Sequence, residues 1–504
     1  MAETAPELRL GTPVARGTLL ATILASGMVF LDATVVNVAL PHLGRELHAP
    51  VGGLQWTVNG YLLMLAAFVL LGGALGDRWG RRRMFLIGVL WFTAASLLSG
   101  AAQTIEWLVA ARVLQGAGGA LLTPGSLAIL QGSFRHDDRG KAIGLWSGLA
   151  GVSTALGPFI GGYLIDSLSW RWIFFINLPI AAVVVVAGLR WVPESRDPYA
   201  GRRDAGHGAP RPGTRFDIAG ALLGALALAG VTYALIDAPR HGLSAPVLVA
   251  AAVGVAAAVA FVLVERRRQD AAMLPPRLFR SRLFSVLNVY TVTVYAALNG
   301  LTFFLAVYLQ NVVGYSALVT GLATLPLTIL LLVGSAQAGA LATRIGPRWP
   351  LTVGPVLSGV GFLLLRGVTP GGSYWLGVLP GVTLFGLGMT LVVAPLTASV
   401  LGAVADRYAG VASGVNNAAS RAGGLLAVAA LPLLVGLSGA GYEMPAELTH
   451  AYRSAMVWCA GLMFLSAVLA AALVRRPRRE PPPSRPCPSL PPPAYPRDEP
   501  ARTD

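Results

Sequence analysis

Charge is scarce in this 504-residue chain: Asp, Glu, Lys and Arg make up 12% of it, about half the share usual in soluble proteins. Lysine is nearly absent, with Lys141 alone among many arginines. There are two cysteines, Cys459 in an apolar run and Cys487 in a proline-rich tail, so no disulfide framework is expected. His42, His48, His136, His207, His241 and His450 fall in loops or at the ends of apolar runs. None is spaced to share a metal ion on a helix, and no metal is expected. There is no Gly-x-x-x-x-Gly-Lys-Ser/Thr phosphate loop and no soluble stretch large enough to hold ATP, which excludes a nucleotide-driven machine. Neither a Gly-x-Ser-x-Gly elbow nor a paired-carboxylate site suggests an enzyme, so no catalytic residue and no cofactor are expected. The N-terminus shows no cleavable leader, because the first apolar run is long and meets Pro41 rather than a small-residue cleavage site.

Apolar residues are abundant instead. They make up 55% of the chain, and the mean hydropathy is +0.65. That balance belongs to a polytopic, all-α membrane protein. Runs long enough to cross a bilayer fall at 18–40, 54–75, 84–103, 107–131, 142–166 and 172–192, then at 216–236 and 246–264. The rest lie at 283–309, 317–342, 350–367, 374–400, 411–437 and 451–474, giving fourteen expected transmembrane helices. The net charge of +15 would suggest nucleic acid in a soluble chain. Here the arginines gather in alternate loops, so the expected partner is the lipid bilayer and not nucleic acid.

With the N-terminus inside, the cytoplasmic loops hold Arg78 to Arg83, Arg135 to Lys141, Arg190 to Arg215, Arg266 to Arg282, Arg344 with Arg348, Arg407, and the tail from Arg475. The outer loops hold only Arg45, Arg171, Arg240, Arg366 and Arg453. Losing one span would place later basic loops on the wrong side, so the count is tested by charge and both termini are expected in the cytoplasm. The expected organisation is a cytoplasmic N-terminus (1–17), a six-helix bundle (18–192), a linker (193–215) and two inserted helices (216–264). A cytoplasmic loop (265–282), a second six-helix bundle (283–474) and a disordered Pro/Arg-rich tail (475–504) follow. The stretch MLPPRLFRSRLF before the ninth span could hold a short interfacial helix.

A few polar residues stand inside the apolar runs. Asp32 lies in the first span, where a carboxylate is costly and therefore a functional candidate. Desolvation favours the neutral acid, so a carboxylate there can exchange protons. In the fourth span Arg112, Gln115, Gly119, Thr123 and Ser126 recur at helical spacing and share one face. A buried arginine there needs a partner or water. Asn288, Tyr295 and Asn299 fall on one face of the ninth span, and Asn416, Asn417 and Arg421 form a second patch in the thirteenth. With Asn37, Gln55, Asn59 and Gln115 they are candidate cavity linings; bonding between helices would serve as well.

Five charged residues stand within Gly73 to Arg83 (GALGDRWGRRR), a hinge between two apolar runs. Gly73, Leu75, Asp77, Arg78, Gly80, Arg81 and Arg82 stand in register with the signature loop between spans two and three of the major facilitator superfamily, which the chain resembles here. Gly339 to Arg348 is a degenerate second copy with Thr343 where Asp77 stands, as expected for two homologous bundles. The run from Leu31 to Pro41 resembles the first-span motif of the fourteen-span drug:proton antiporters. Gly157, Pro158, Gly161 and Gly162 resemble the motif associated with exporters rather than symporters. Trp170 to Pro179 is also similar to the fourteen-span subgroup, although its outward aromatics would equally make an interfacial belt.

The resemblance implies the major facilitator fold, two six-helix bundles with two helices inserted between them. It implies a proton-coupled antiporter of the cell membrane that exports small amphipathic or cationic drugs, antibiotics or toxic natural products, acting as a monomer. Asp32 and Arg112 would couple protons; Gly73, Asp77, Arg78, Gly80 and Arg81 would gate the inner face. An uptake symporter on the same fold, or a membrane sensor or scaffold that transports nothing, are the alternatives.

Overall fold

In hydrocarbon every backbone N–H and C=O must find its partner within the segment, so apolar runs of this length become helices. The computed structural model describes residues 8–195, 218–268, 274–404, 408–439 and 441–474. Most of the 193–215 linker, the 475–504 tail, Arg407 and Cys487 lie outside the described residues. Among the described residues there is no β-strand.

The helices are α1 (Pro13–Glu46), α2 (Val51–Trp79), α3 (Arg81–Gly100), α4 (Ile105–Ser133) and α5 (His136–Ser167). They continue as α6 (Trp172–Trp191), α7 (Ile218–His241), α8 (Ala245–Arg268), α9 (Arg282–Asn311) and α10 (Ala317–Ile345). The last four are α11 (Arg348–Leu365), α12 (Tyr374–Gly402), α13 (Ala409–Leu434) and α14 (Pro445–Leu473). Thirteen are long and apolar enough to cross a membrane, and α2, bent by 50° between Val69 and Leu71, completes the fourteen.

Several helices outrun their apolar cores. Thr12 caps α1, its Oγ1 accepting from Ala15 N at 3.3 Å, and Pro13 occupies the first turn, where a missing N–H costs nothing. The helix then continues past Pro41 to Glu46, although Pro41 offers no N–H to the preceding turn. A 3-10 turn at Pro276–Arg280 precedes α9, in the stretch where a short interfacial helix was expected.

The two bundles are built alike. Gly80 joins α2 to α3 at φ +110°, and Gly346 joins α10 to α11 at φ +87°. Both conformations strain any residue with a Cβ, so the glycines of the two loop copies occupy the same kind of hinge. In the first bundle α4 packs on α2 and α3, and α1 on α5; in the second α12 packs on α10 and α11, and α9 on α13 and α14. The inserted helices α7 and α8 pack on each other, and α7 rests on α2 and α13, touching both bundles. Much of α8 is exposed, including Val249, Val255, Val259 and Leu263. An apolar helix with that face belongs against lipid.

With successive helices crossing in alternate directions, the helix ends that carry the arginine-rich loops fall on one side and those that carry the arginine-poor loops on the other. At the arginine-poor end the expected aromatic belt divides. Trp172 is exposed, but Trp170 is buried, with Nε1 donating to Glu46 Oε2 at 2.7 Å and its ring 4.3 Å beneath the Arg171 guanidinium.

Candidate functional site

Asp32 is fully buried, and its neighbours explain how a charge is held there. Arg112 Nη1 donates to Asp32 Oδ2 at 2.5 Å, and Gln115 Nε2 donates to Asp32 Oδ1 at 2.8 Å. Gln115 Oε1 accepts from Arg112 Nη1 at 2.7 Å, and Arg112 Nε donates to Thr57 O at 3.1 Å. The guanidinium lies 4.2 Å from the centre of the Tyr61 ring. These contacts satisfy a desolvated ion pair on all sides, which is the condition for such a pair to persist. Behind it Gln115 Nε2 and Asn177 Nδ2 both donate to Ser96 Oγ, at 3.2 and 2.9 Å. The network thus draws on α1, α2, α3, α4 and α6. Sequence reasoning did not single out Tyr61 or Ser96, and met Asn177 only within the Trp170 to Pro179 stretch, because nothing in their local spacing shows which helix they meet.

A cavity of about 390 Å³ opens between the bundles, within the range of pockets that take drug-sized molecules. Its wall includes Asn37 and Arg112 from the first bundle and Tyr295, Asn299, Asn417 and Arg421 from the second. Leu62, Leu298, Leu305 and Leu327 give it an apolar remainder. Arg112 reaches the wall; Asp32 does not.

Five expected lining residues lie elsewhere. Gln55 Nε2 donates to Val428 O at 2.7 Å and Ala429 O at 3.1 Å, joining α2 to α13. Asn59, one turn on, is fully buried on the same stripe, and its amide has no hydrogen-bond partner among the described residues. The cavity takes the neighbouring face of α2, through Val58, Tyr61 and Leu62. Gln115 is spent on the ion pair. Asn288 donates to Phe284 O at 2.9 Å, two turns before the first lining position of α9, and Asn416 Nδ2 donates to Thr291 Oγ1 at 2.6 Å. Gln55 and Asn416 thus bond between helices, the alternative role open to them, and Asn288 bonds within its own helix.

The residues of the Gly157 to Gly162 motif sit where α5 passes between two helices. A Cβ on Gly157 would fall 2.1 Å from Thr34 Oγ1, and one on Gly161 2.0 Å from Val35 Cγ2, both on α1. On the other side a Cβ on Gly162 would lie 2.5 Å from Ala317 O, and one on Gly321 2.2 Å from Pro158 O. That second crossing, α5 on α10, belongs to opposite bundles. One turn beyond it, Asp166 Oδ1 and Oδ2 accept from Ala317 N and Leu318 N at 3.1 and 2.8 Å. A carboxylate from one bundle therefore caps a helix of the other. Gln310 Nε2 to Val38 O, Tyr442 Oη to Ala49 O and Val51 N to Gly439 O, at 2.8, 2.8 and 2.9 Å, also cross between bundles near the arginine-poor face. Asp166 was not marked by the sequence, because a carboxylate at a helix end looks solvated until its partner is known.

At the arginine-rich face, Asp77 Oδ1 accepts from Arg81 Nε at 2.8 Å, and Arg81 Nη1 donates to Ala128 O at 3.2 Å. A Cβ on Gly73 would meet Pro124 of α4 at ordinary contact distance. Arg78 is engaged as well. Glu194, which the sequence did not mark, accepts from Arg82 N and Arg83 N at 3.1 and 3.2 Å and so caps α3. Glu194→Ala is expected to cost about 1 kcal/mol, the usual loss for an N-terminal cap, read as a lowered melting temperature in detergent. An unchanged melting temperature would mean that the cap is not holding the loop. In the second copy Thr343 Oγ1 donates to Ala340 O of its own helix at 2.7 Å. The acid–arginine contact of the first copy has no counterpart there.

A family profile described as the Major Facilitator Superfamily matches residues 22–428 and 287–498. The puromycin resistance protein of Streptomyces alboniger is 37% identical over 475 residues, 90% of each chain. The tetracenomycin C resistance and export protein of Streptomyces glaucescens is 37% identical over 427 residues, 83% of this chain and 75% of that one. Among solved structures, a bacterial homologue of the human lysosomal transporter Spinster superposes with a TM-score of 0.65 at 16% identity, covering 92% of this chain and 98% of that one.

Proposed function

The chain belongs to the Major Facilitator Superfamily of membrane transporters, and from that premise we propose that it is a proton-coupled antiporter exporting amphipathic antibiotics or toxic natural products across the cytoplasmic membrane. It is a transporter and not an enzyme. Relatives named for antibiotic resistance and export support the direction and the substrate class. The observation that carries the reading is the buried Asp32–Arg112 pair, one partner of which reaches the wall of the cavity between the bundles.

By the excess of arginine, the arginine-rich face is the cytoplasmic one. The contacts between α5 and α10 then close the cavity toward the outside, and substrate enters from the cytoplasm. A proton on Asp32 Oδ2 removes the charge that holds Arg112 Nη1. Losing that charge is a local event that can bias which face is closed. Asp77, Arg78 and Arg81 gate the cytoplasmic face in the alternate state, with Gly73 and Gly80 allowing the helix ends to approach.

Inverted membrane vesicles acidified inside are expected to accumulate puromycin or tetracenomycin C when they carry the protein, and to lose it when a protonophore is added. Uptake that ignores the protonophore would rule out proton coupling. Absence of any uptake beyond that of vesicles lacking the protein would count against the export reading itself.

A further inference from the structure

Among the described residues, the cavity wall holds two arginines and no carboxylate. Arg112 is neutralised by Asp32 at 2.5 Å. Arg421 on α13 is not neutralised. Among the described residues it makes no ion pair and no hydrogen bond, and its Nε is sealed from solvent without a partner. Asn417 and Ser420 bring Arg421 to the cavity on a single face of α13, four and one residues before it, and Gly424 continues the face one turn on. Tyr295 and Asn299 line the cavity beside it, from α9, which packs against this face of α13. Arg421 as a whole is half-buried, so its guanidinium stands at the cavity without a counter-charge.

We infer that Arg421 is the recognition point for a substrate bearing an acidic oxygen, a carboxylate above all, on an otherwise apolar body. The inference rests on the export reading and narrows its substrate class, replacing the expectation of a cationic substrate. A guanidinium binds a carboxylate with two parallel hydrogen bonds, and the fixed geometry adds selectivity to charge. Asn417 and Asn299 offer amide groups to the remaining polar atoms, and the leucine-lined wall takes the apolar body. Asp32 already occupies Arg112, so substrate and proton do not compete for one charge. Exchange then rests on the two faces opening in turn.

The test uses the purified full-length protein and three fluorescent probes sharing one ring system: 1-pyrenebutyric acid, its primary amide and 1-pyrenemethylamine. Binding is read by energy transfer from tryptophan. The acid is expected to bind at least about tenfold more tightly than the amide or the amine. Arg421→Gln is expected to erase that preference while leaving the amide's affinity within about twofold, which shows the cavity intact; Arg421→Lys is expected to retain most of it. Equal binding of acid and amide by the wild type, tighter binding of the amine, or a preference unchanged in Arg421→Gln would overturn the inference. In any of these results, gradient-driven uptake of puromycin or tetracenomycin C would keep the export reading alive. If no probe bound and no compound were transported, both would fall.

Discussion

Asp32→Asn is expected to abolish gradient-driven export while leaving the protein folded in the membrane. Asparagine has nearly the same shape and keeps one acceptor for Arg112 Nη1, but it cannot take up and release a proton. The carboxylate bonds both Arg112 and Gln115, so the substitution removes the only negative charge from a network that is closed to solvent. Arg112, 1% exposed, is left as an unbalanced cation supported by Thr57 O, Gln115 Oε1 and the Tyr61 ring. Removing one member of a buried pair commonly costs about 3–5 kcal/mol, and the retained amide oxygen should hold the loss well below that. Asp32→Ala, with no acceptor, should approach the full cost. In inverted vesicles the expected result is accumulation at the level of vesicles lacking the protein, with substrate binding preserved. Protonophore-sensitive accumulation at the wild-type rate in Asp32→Asn would move proton coupling to another group.

The second large effect is expected at the crossing of α5 and α10. Gly321→Val would drive its Cβ to 2.2 Å from Pro158 O and 2.6 Å from Pro158 C, backbone atoms that cannot swing aside as a side chain would. The helices must part, and the hydrogen bonds of Asp166 to Ala317 N and Leu318 N go with the crossing. Overpacking costs about 1–3 kcal/mol where the surroundings yield, and more against rigid backbone. Each 1.4 kcal/mol set against this closed state shifts its population about tenfold. Export should therefore fall at least about tenfold. A cysteine placed at Ala306 in the cavity wall should become reactive to an impermeant maleimide from the arginine-poor side, while the native Cys459 stays buried. Gly321→Ala should do the same more weakly. Wild-type export and an unreactive Ala306→Cys would show that the crossing yields without opening the cavity.

The sequence by itself determined how many times this chain crosses the bilayer and which residues stand there at a cost. Both follow from local chemistry. A run of apolar residues has to be helical in hydrocarbon wherever its neighbours are, and a carboxylate such as Asp32 or a guanidinium such as Arg112 is expensive in a span whatever its partner. The repeated loop was legible for the same reason, since Gly80 and Gly346 each answer a demand of the backbone within a few residues. Tertiary structure alone decided which way each polar residue faces. Gln55 and Asn37 look alike along the chain, yet one ties α2 to α13 and the other faces the cavity. That choice depends on how each helix is turned about its axis, which is fixed by packing against helices distant in sequence. The same holds for the partners. Arg112 lies 80 residues from Asp32, Asp166 lies 151 from Ala317, and Arg421 stands in the cavity wall without a counter-charge because, among the described residues, no acidic group of another helix was brought to it.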